Sequence, residues 1–88
     1  MDQLRARFGL RLNEDVEQLT RAIHGHDRGA MARIAHRLSG AAGLFGYPQL
    51  SIAGGALEEA IDMDLPDRDV EELAASLVSQ IASAGAPG

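Results

Sequence analysis

Apolar residues recur along this chain at steps of three and four, with polar residues filling the positions between them. Leu4, Phe8, Leu12, Val16, Leu19 and Ile23 carry the spacing from about Asp2 to His24. Met31, Ile34, Leu38, Ala42 and Phe45 repeat it in a second segment that continues to about Gly46. Leu50, Ala53, Leu57 and Ile61 carry a third between Pro48 and Met63, and Val70, Leu73, Leu77 and Ile81 a fourth between Asp67 and Ser83. At about 100° per residue each set falls on one side of a helix, so the pattern predicts four amphipathic helices.

The punctuation between them agrees. Gly25 is placed to end the first helix and Asp27 to cap the second, while Gly9 is a candidate bend within the first. Pro48 suits the first turn of the third helix, and Asp64-Leu65-Pro66-Asp67 is a compact break with capping carboxylates before the fourth. Gly54 lies beside its apolar stripe, where a missing side chain lets another helix come close. Connections this short force sequential helices to run antiparallel. The expected fold is all-α, an up-and-down antiparallel four-helix bundle forming one domain over residues 1–84, with residues 85–88 a fraying tail.

Composition narrows the choice further. The chain has 88 residues, 45% of them hydrophobic, with two phenylalanines, one tyrosine and no tryptophan, which suits closely packed helices better than a sheet. No cysteine is present, so neither disulfides nor thiolate metal sites arise. No apolar run approaches the roughly 20 residues that span a bilayer, and no signal-peptide core precedes the first helix, so a soluble, cytoplasmic protein is expected. A net charge of −5 argues against nucleic-acid binding. Arg5, Arg7 and Arg11 are read as a solvated face rather than a membrane or nucleic-acid contact. Phe8, Phe45 and Tyr47 are read as packing residues, and Glu58-Glu59 and Glu71-Glu72 as solvated helix faces.

The chemistry concentrates on Ala35–Gly46, A-H-R-L-S-G-A-A-G-L-F-G. His36 points away from the apolar stripe of its helix, and Gly29, Arg33, Gly40 and Gly43 share its outer side. Each exposed helical glycine costs about 0.5–1 kcal/mol relative to alanine, so this cluster keeps an imidazole accessible at the expense of stability. A partner surface explains that. The hydrolase elbow, phosphate-binding loop and zinc-protease motifs are absent, and no acid stands at helical spacing to orient the ring. A lone exposed imidazole is still a nucleophile, since near neutral pH it offers a nitrogen lone pair to a phosphoryl group. His24 and His26 form an H-x-H without further ligands at a recognisable spacing, so no metal site is expected.

The stretch around His36, followed by Tyr47-Pro48, Leu50 and Leu57-Glu58, resembles the signature of the histidine-containing phosphotransfer (HPt) family and the related phosphorylated N-terminal domain of chemotaxis histidine kinases. The resemblance implies that His36 receives a phosphoryl group from an aspartate of a response-regulator receiver domain and passes it on, with no kinase activity of its own. It implies a receiver domain and a hybrid histidine kinase as partners, and a divalent metal, Mg, on the receiver rather than a cofactor in this chain. Gly40 matches the family glycine beside the imidazole. Where the family usually carries lysine three residues after the histidine, this chain has Ser39.

Arg33, Arg37, Ser39, Gly40 and Gly43 are therefore the expected surroundings of the phosphohistidine, and Gly29, Ala32, Arg33, Gly40 and Gly43 the expected docking surface. The competing reading is a helical module that binds and regulates a receiver or kinase domain without being phosphorylated. The chain is expected to stand alone rather than to be a segment of a hybrid kinase. A dimer is an open alternative, because a small alanine-rich bundle can leave apolar surface uncovered.

Overall fold

The computed structural model describes residues 2–85, with side chains described for residues 11–84. Four helices follow in order: α1 (Asp2–His24), α2 (Arg28–Leu44), α3 (Pro48–Asp62) and α4 (Asp67–Gly85). Each packs against its two neighbours in a closed ring, α1 on α2, α2 on α3, α3 on α4 and α4 back on α1. The result is a rod of 40 × 20 × 19 Å, the shape that near-parallel helix axes produce. Among the described residues there is no strand.

The core is built from the anticipated stripes, each slightly widened. Leu12 and Leu19 of α1, Met31, Ile34, Leu38 and Ala42 of α2, Leu50 and Leu57 of α3, and Val70, Leu77 and Ile81 of α4 are buried. Val16, Ile23, Phe45, Tyr47, Ala53, Ile61 and Leu73 pack against this core from partly exposed positions, and Ala22, Ala35, Ala60 and Ala74 fill the closest approaches. Leu4, Phe8, Arg5 and Arg7 carry side chains outside the described residues; of the expected tail 85–88, Gly85 is instead the last residue of α4 and residues 86–88 lie outside the described residues. α1 continues as one helix through Gly9.

Asp27 caps α2 as expected, its Oδ1 accepting from the Ala30 amide at 3.0 Å. α1 ends at His24, as the spacing and Gly25 predict. The left-handed residue in the turn that follows is His26 (φ 53°). With His26 in that conformation its amide donates to Ile23 O at 3.1 Å and the Asp27 amide to Ala22 O at 2.9 Å, closing the last turn while leaving Asp27 in place as a cap. α3 ends the same way on Asp64 (φ 56°), whose amide reaches Ile61 O at 3.0 Å while the Leu65 amide reaches Ala60 O. The turn after α2 carries its left-handed residue at Gly46 (φ 84°).

Arg28 joins the α1–α2 turn to the α3–α4 turn. Its guanidinium donates to Asp67 Oδ1 at 2.6 Å and to Leu65 O at 2.6 Å, with Asp64 Oδ1 at 3.4 Å. His26 Nδ1 lies 3.4 Å from Glu71 Oε1, so half-buried Glu71 is not simply solvated, whereas Glu72 stays exposed on the helix face with Arg68 Nε 3.7 Å from its Oε1.

α2 and α3 form the most intimate helix pair in the bundle. Gly54 permits it: a methyl group there would stand 2.9 Å from the carbonyl oxygen of Ala35 and 3.3 Å from Cβ of Ser39. Ser39 and Ser51 then bond reciprocally across the seam, Ser39 Oγ donating to Ser51 O at 3.0 Å and Ser51 Oγ to Ser39 O at 2.8 Å.

Candidate functional site

His36 stands on the outer side of α2 with 78% of its side chain exposed. Gly29, Arg33, Gly40 and Gly43 are exposed on the same side, as their helical spacing implies, and Ala32 is half-buried beside them. A methyl group on Gly40 would meet nothing within 4 Å, and one on Gly43 only Ser51 Oγ at 3.8 Å. Neither glycine is demanded by the fold of the isolated domain. Each leaves surface beside the imidazole lower than a side chain would.

The imidazole is not alone. Its Nδ1 lies 2.7 Å from Glu58 Oε2 on α3, so the expectation that His36 lacks an orienter, and that Glu58 is a plain solvated residue, is corrected. The acid is invisible to helical spacing along α2 because it comes from the neighbouring helix, brought within reach by the close α2–α3 approach at Gly54. The Leu57-Glu58 pair already stood in the sequence, with Leu57 fully buried in the core and Glu58 directed to the histidine. A carboxylate at this distance accepts a proton from Nδ1, the arrangement in which a neutral imidazole keeps its lone pair on Nε2.

Two of the expected neighbours are engaged elsewhere. Arg37 reaches back to α1, where its guanidinium donates to Asp15, the single buried charged residue among the described residues. Burial pushes the Asp15 carboxyl up from its ordinary value, with the Arg37 guanidinium the larger of the opposing influences. Nothing in the apolar spacing marked Asp15 as inward, although it sits between Leu12 and Leu19 on the buried side of α1. Ser39 spends its hydroxyl proton on Ser51 O in the α2–α3 seam rather than turning it toward the imidazole.

Arg33 remains. It lines a groove of about 610 Å³ between α1 and α2, with Arg21 across from it and Arg37 and Asp27 also on the walls. Leu44 and Ile52 are exposed large apolar side chains at the α2–α3 end of the molecule, and Met63 is a third near the opposite end.

Among the described residues no group of three or more His, Asp or Glu side chains is arranged to hold a metal ion. No helix among the described residues is long and apolar enough to cross a membrane.

Comparison with known proteins gives one finding. No curated protein and no solved structure matches the chain. The family model described as Hpt domain matches residues 3–84, which span all four helices and include both His36 and Glu58. The chain belongs to the Hpt domain family, whose members carry phosphoryl groups on histidine in two-component phosphorelays.

Proposed function

We propose that His36 is the phosphoryl carrier, accepting the group on Nε2 from the aspartyl phosphate of a receiver domain and returning it to another. The observation that carries this is the His36–Glu58 contact at 2.7 Å on a ring that is 78% exposed. Glu58 keeps the proton on Nδ1, so the Nε2 lone pair attacks phosphorus as the acyl phosphate bond breaks and the receiver aspartate leaves as a carboxylate. No proton has to move. The phosphorylated ring retains its Nδ1 proton and with it a positive charge, which the Glu58 carboxylate offsets. A receiver aspartate draws on its own divalent metal, Mg, for charge neutralisation, so this chain supplies a nucleophile and a docking surface and generates no phosphoryl group from nucleotide.

That surface is formed by Gly29, Ala32, Arg33, Gly40 and Gly43 around His36, continued by the exposed side chains of Leu44 and Ile52. Low relief beside the imidazole lets a receiver bring its aspartate to Nε2, and the two apolar side chains supply area to bury on contact. A hybrid histidine kinase with an attached receiver is the upstream partner that fits, and the cytoplasm is the compartment in which such a relay runs.

The test is transfer from a phosphorylated receiver domain in magnesium buffer to the domain and to its His36→Gln variant, followed by intact mass and site mapping of acid-labile, base-stable phosphate. Phosphate on His36, absent from the variant, is the expected result. Receivers that bind the domain without ever transferring would overturn the carrier role in favour of a docking or inhibitory module.

A further inference from the structure

All eight cationic side chains of this chain, histidines aside, are arginine, and the position where the family usually places a lysine is Ser39. Any cation other than histidine that this chain brings to the phosphoryl group is therefore a guanidinium, and the geometry engages several of them elsewhere. Arg37, the immediate neighbour of His36, is bound to the buried carboxylate of Asp15. Arg28 is held by Asp64, Asp67 and the Leu65 carbonyl at the end of the bundle, and Arg68 lies beside Glu72 on α4. Arg33 is exposed, stands one turn before His36 on the same face, and has no carboxylate within ion-pair distance among the described residues.

Helix geometry adds a direction. Side chains on a helix lean toward its N-terminus, so the ring of His36 is inclined toward the turn that carries Arg33. The stem of Arg33 starts in that same direction, so its guanidinium reaches the ring's outer nitrogen by folding back along the helix. A group added at Nε2 extends further from the backbone on that side. The long stem of an arginine spans the remaining gap, and its planar fork presents two donors to phosphate oxygens.

We infer that Arg33 is the positioning cation of this domain, donating to the oxygens of the phosphoryl group on His36 and so taking over, from the N-terminal side of the histidine, the task the family usually gives to a lysine on its C-terminal side. The inference presupposes phosphorylation of His36. During transfer the guanidinium forms hydrogen bonds only; phosphorus exchanges its bond to the aspartate oxygen for one to Nε2, and Arg33 neutralises charge on the three oxygens that move with it.

The test compares Arg33→Ala, Arg33→Lys and the charge-matched control Arg68→Ala with the unmodified chain, reading the rate of transfer from one phosphorylated receiver and the hydrolysis rate of isolated phosphohistidine. Arg33→Ala is expected to slow transfer about five- to tenfold, with Arg33→Lys recovering most of the rate and Arg68→Ala leaving it unchanged. The deficit should narrow at high ionic strength, as a charge effect does and a folding effect does not. Arg33→Ala is also expected to change the hydrolysis rate of the isolated phosphohistidine; phosphorylation of His36 with unaltered hydrolysis overturns the role of Arg33, whether or not transfer slows through weaker docking, while leaving the carrier intact. Absence of phosphate from His36 in the unmodified chain removes the carrier itself and the role of Arg33 with it.

Discussion

Gly54 faces the backbone of Ala35 so closely that a single added methyl group would stand 2.9 Å from the carbonyl oxygen. The residue after Ala35 is the candidate phosphoryl acceptor, and one turn beyond Gly54 stands the glutamate that touches it. The separation of the two helix backbones at this point therefore governs whether His36 and Glu58 can meet.

Substituting Gly54 by alanine puts a methyl group against a backbone oxygen that cannot swing aside, so α2 and α3 must separate. We expect a loss of about 2 kcal/mol in denaturant melts, within the usual range for overpacking. Transfer to His36 should fall as well at temperatures where the variant is fully folded, because the 2.7 Å contact with Glu58 lengthens as the helices part. Unchanged stability would mean that the seam has slack which the 2.9 Å approach does not suggest.

Gly40 should behave in the opposite way. A methyl group there meets nothing within 4 Å, so Gly40→Ala relieves a helical glycine without a clash. The isolated domain is expected to gain about 0.5–1 kcal/mol. Transfer from a receiver should nevertheless slow, since the partner loses low relief beside the imidazole. Thermal melts and transfer rates on the same preparation separate the two effects.

Restoring the family lysine as Ser39→Lys is not expected to improve the domain. Ser39 is half-buried in the α2–α3 seam, with its hydroxyl donating to Ser51 O and its Cβ against Gly54. The substitution removes that hydrogen bond and crowds the seam, at a cost of about 1–2 kcal/mol. A melt of this variant checks it.

Two carboxylates should tilt the pH dependence of stability in opposite directions. Burial raises Asp15, so its contribution is fully present below about pH 4, where it is protonated folded or unfolded, and is lost as pH rises through its folded value. Arg37→Ala deepens this by leaving the buried carboxylate without its cation: the loss, about 2 kcal/mol at neutral pH, should shrink on acidification. The hydrogen bond and charge of Arg28 lower Asp67, whose contribution is present above about pH 4 and disappears as pH falls through its folded value. Asp67→Asn should accordingly flatten the acid side of the curve. Urea midpoints between pH 2 and pH 8 distinguish the two.

Much of the fold was legible because amphipathic spacing, the Asp27 cap, Pro48 and the Asp64–Asp67 break all describe local choices of the chain. Gly54 was legible for the same reason, since a glycine beside an apolar stripe has few other uses. The site was legible only in part. His36 and its glycine-rich face lie along one helix, where spacing speaks directly, but Glu58, Asp15 and Ser51 act across helix pairs whose rotation no single stripe determines. Arg37 and Ser39 were assigned to the imidazole by their nearness in sequence. Each sits on α2 at an angle that delivers its polar atoms to a different neighbour, α1 for the arginine and α3 for the serine. Gly25 marked the end of α1 correctly, but the left-handed conformation that closes the turn falls on His26, a residue whose type does not announce it.

Arg28 has a mechanical meaning beyond its hydrogen bonds. The bundle consists of two helical hairpins, α1–α2 and α3–α4, which the covalent chain joins only at the α2–α3 turn; at the far end nothing in the backbone prevents them from splaying like the jaws of a clothes peg. The guanidinium of Arg28, on the first hairpin, grips Asp67 and the Leu65 carbonyl on the second, and so latches the open end. His36 and Glu58 belong to opposite jaws, between the hinge and the latch. A receiver docking on this surface meets a pair whose spacing is restrained from both ends, so the energy of association goes into approach and alignment rather than into assembling the acceptor.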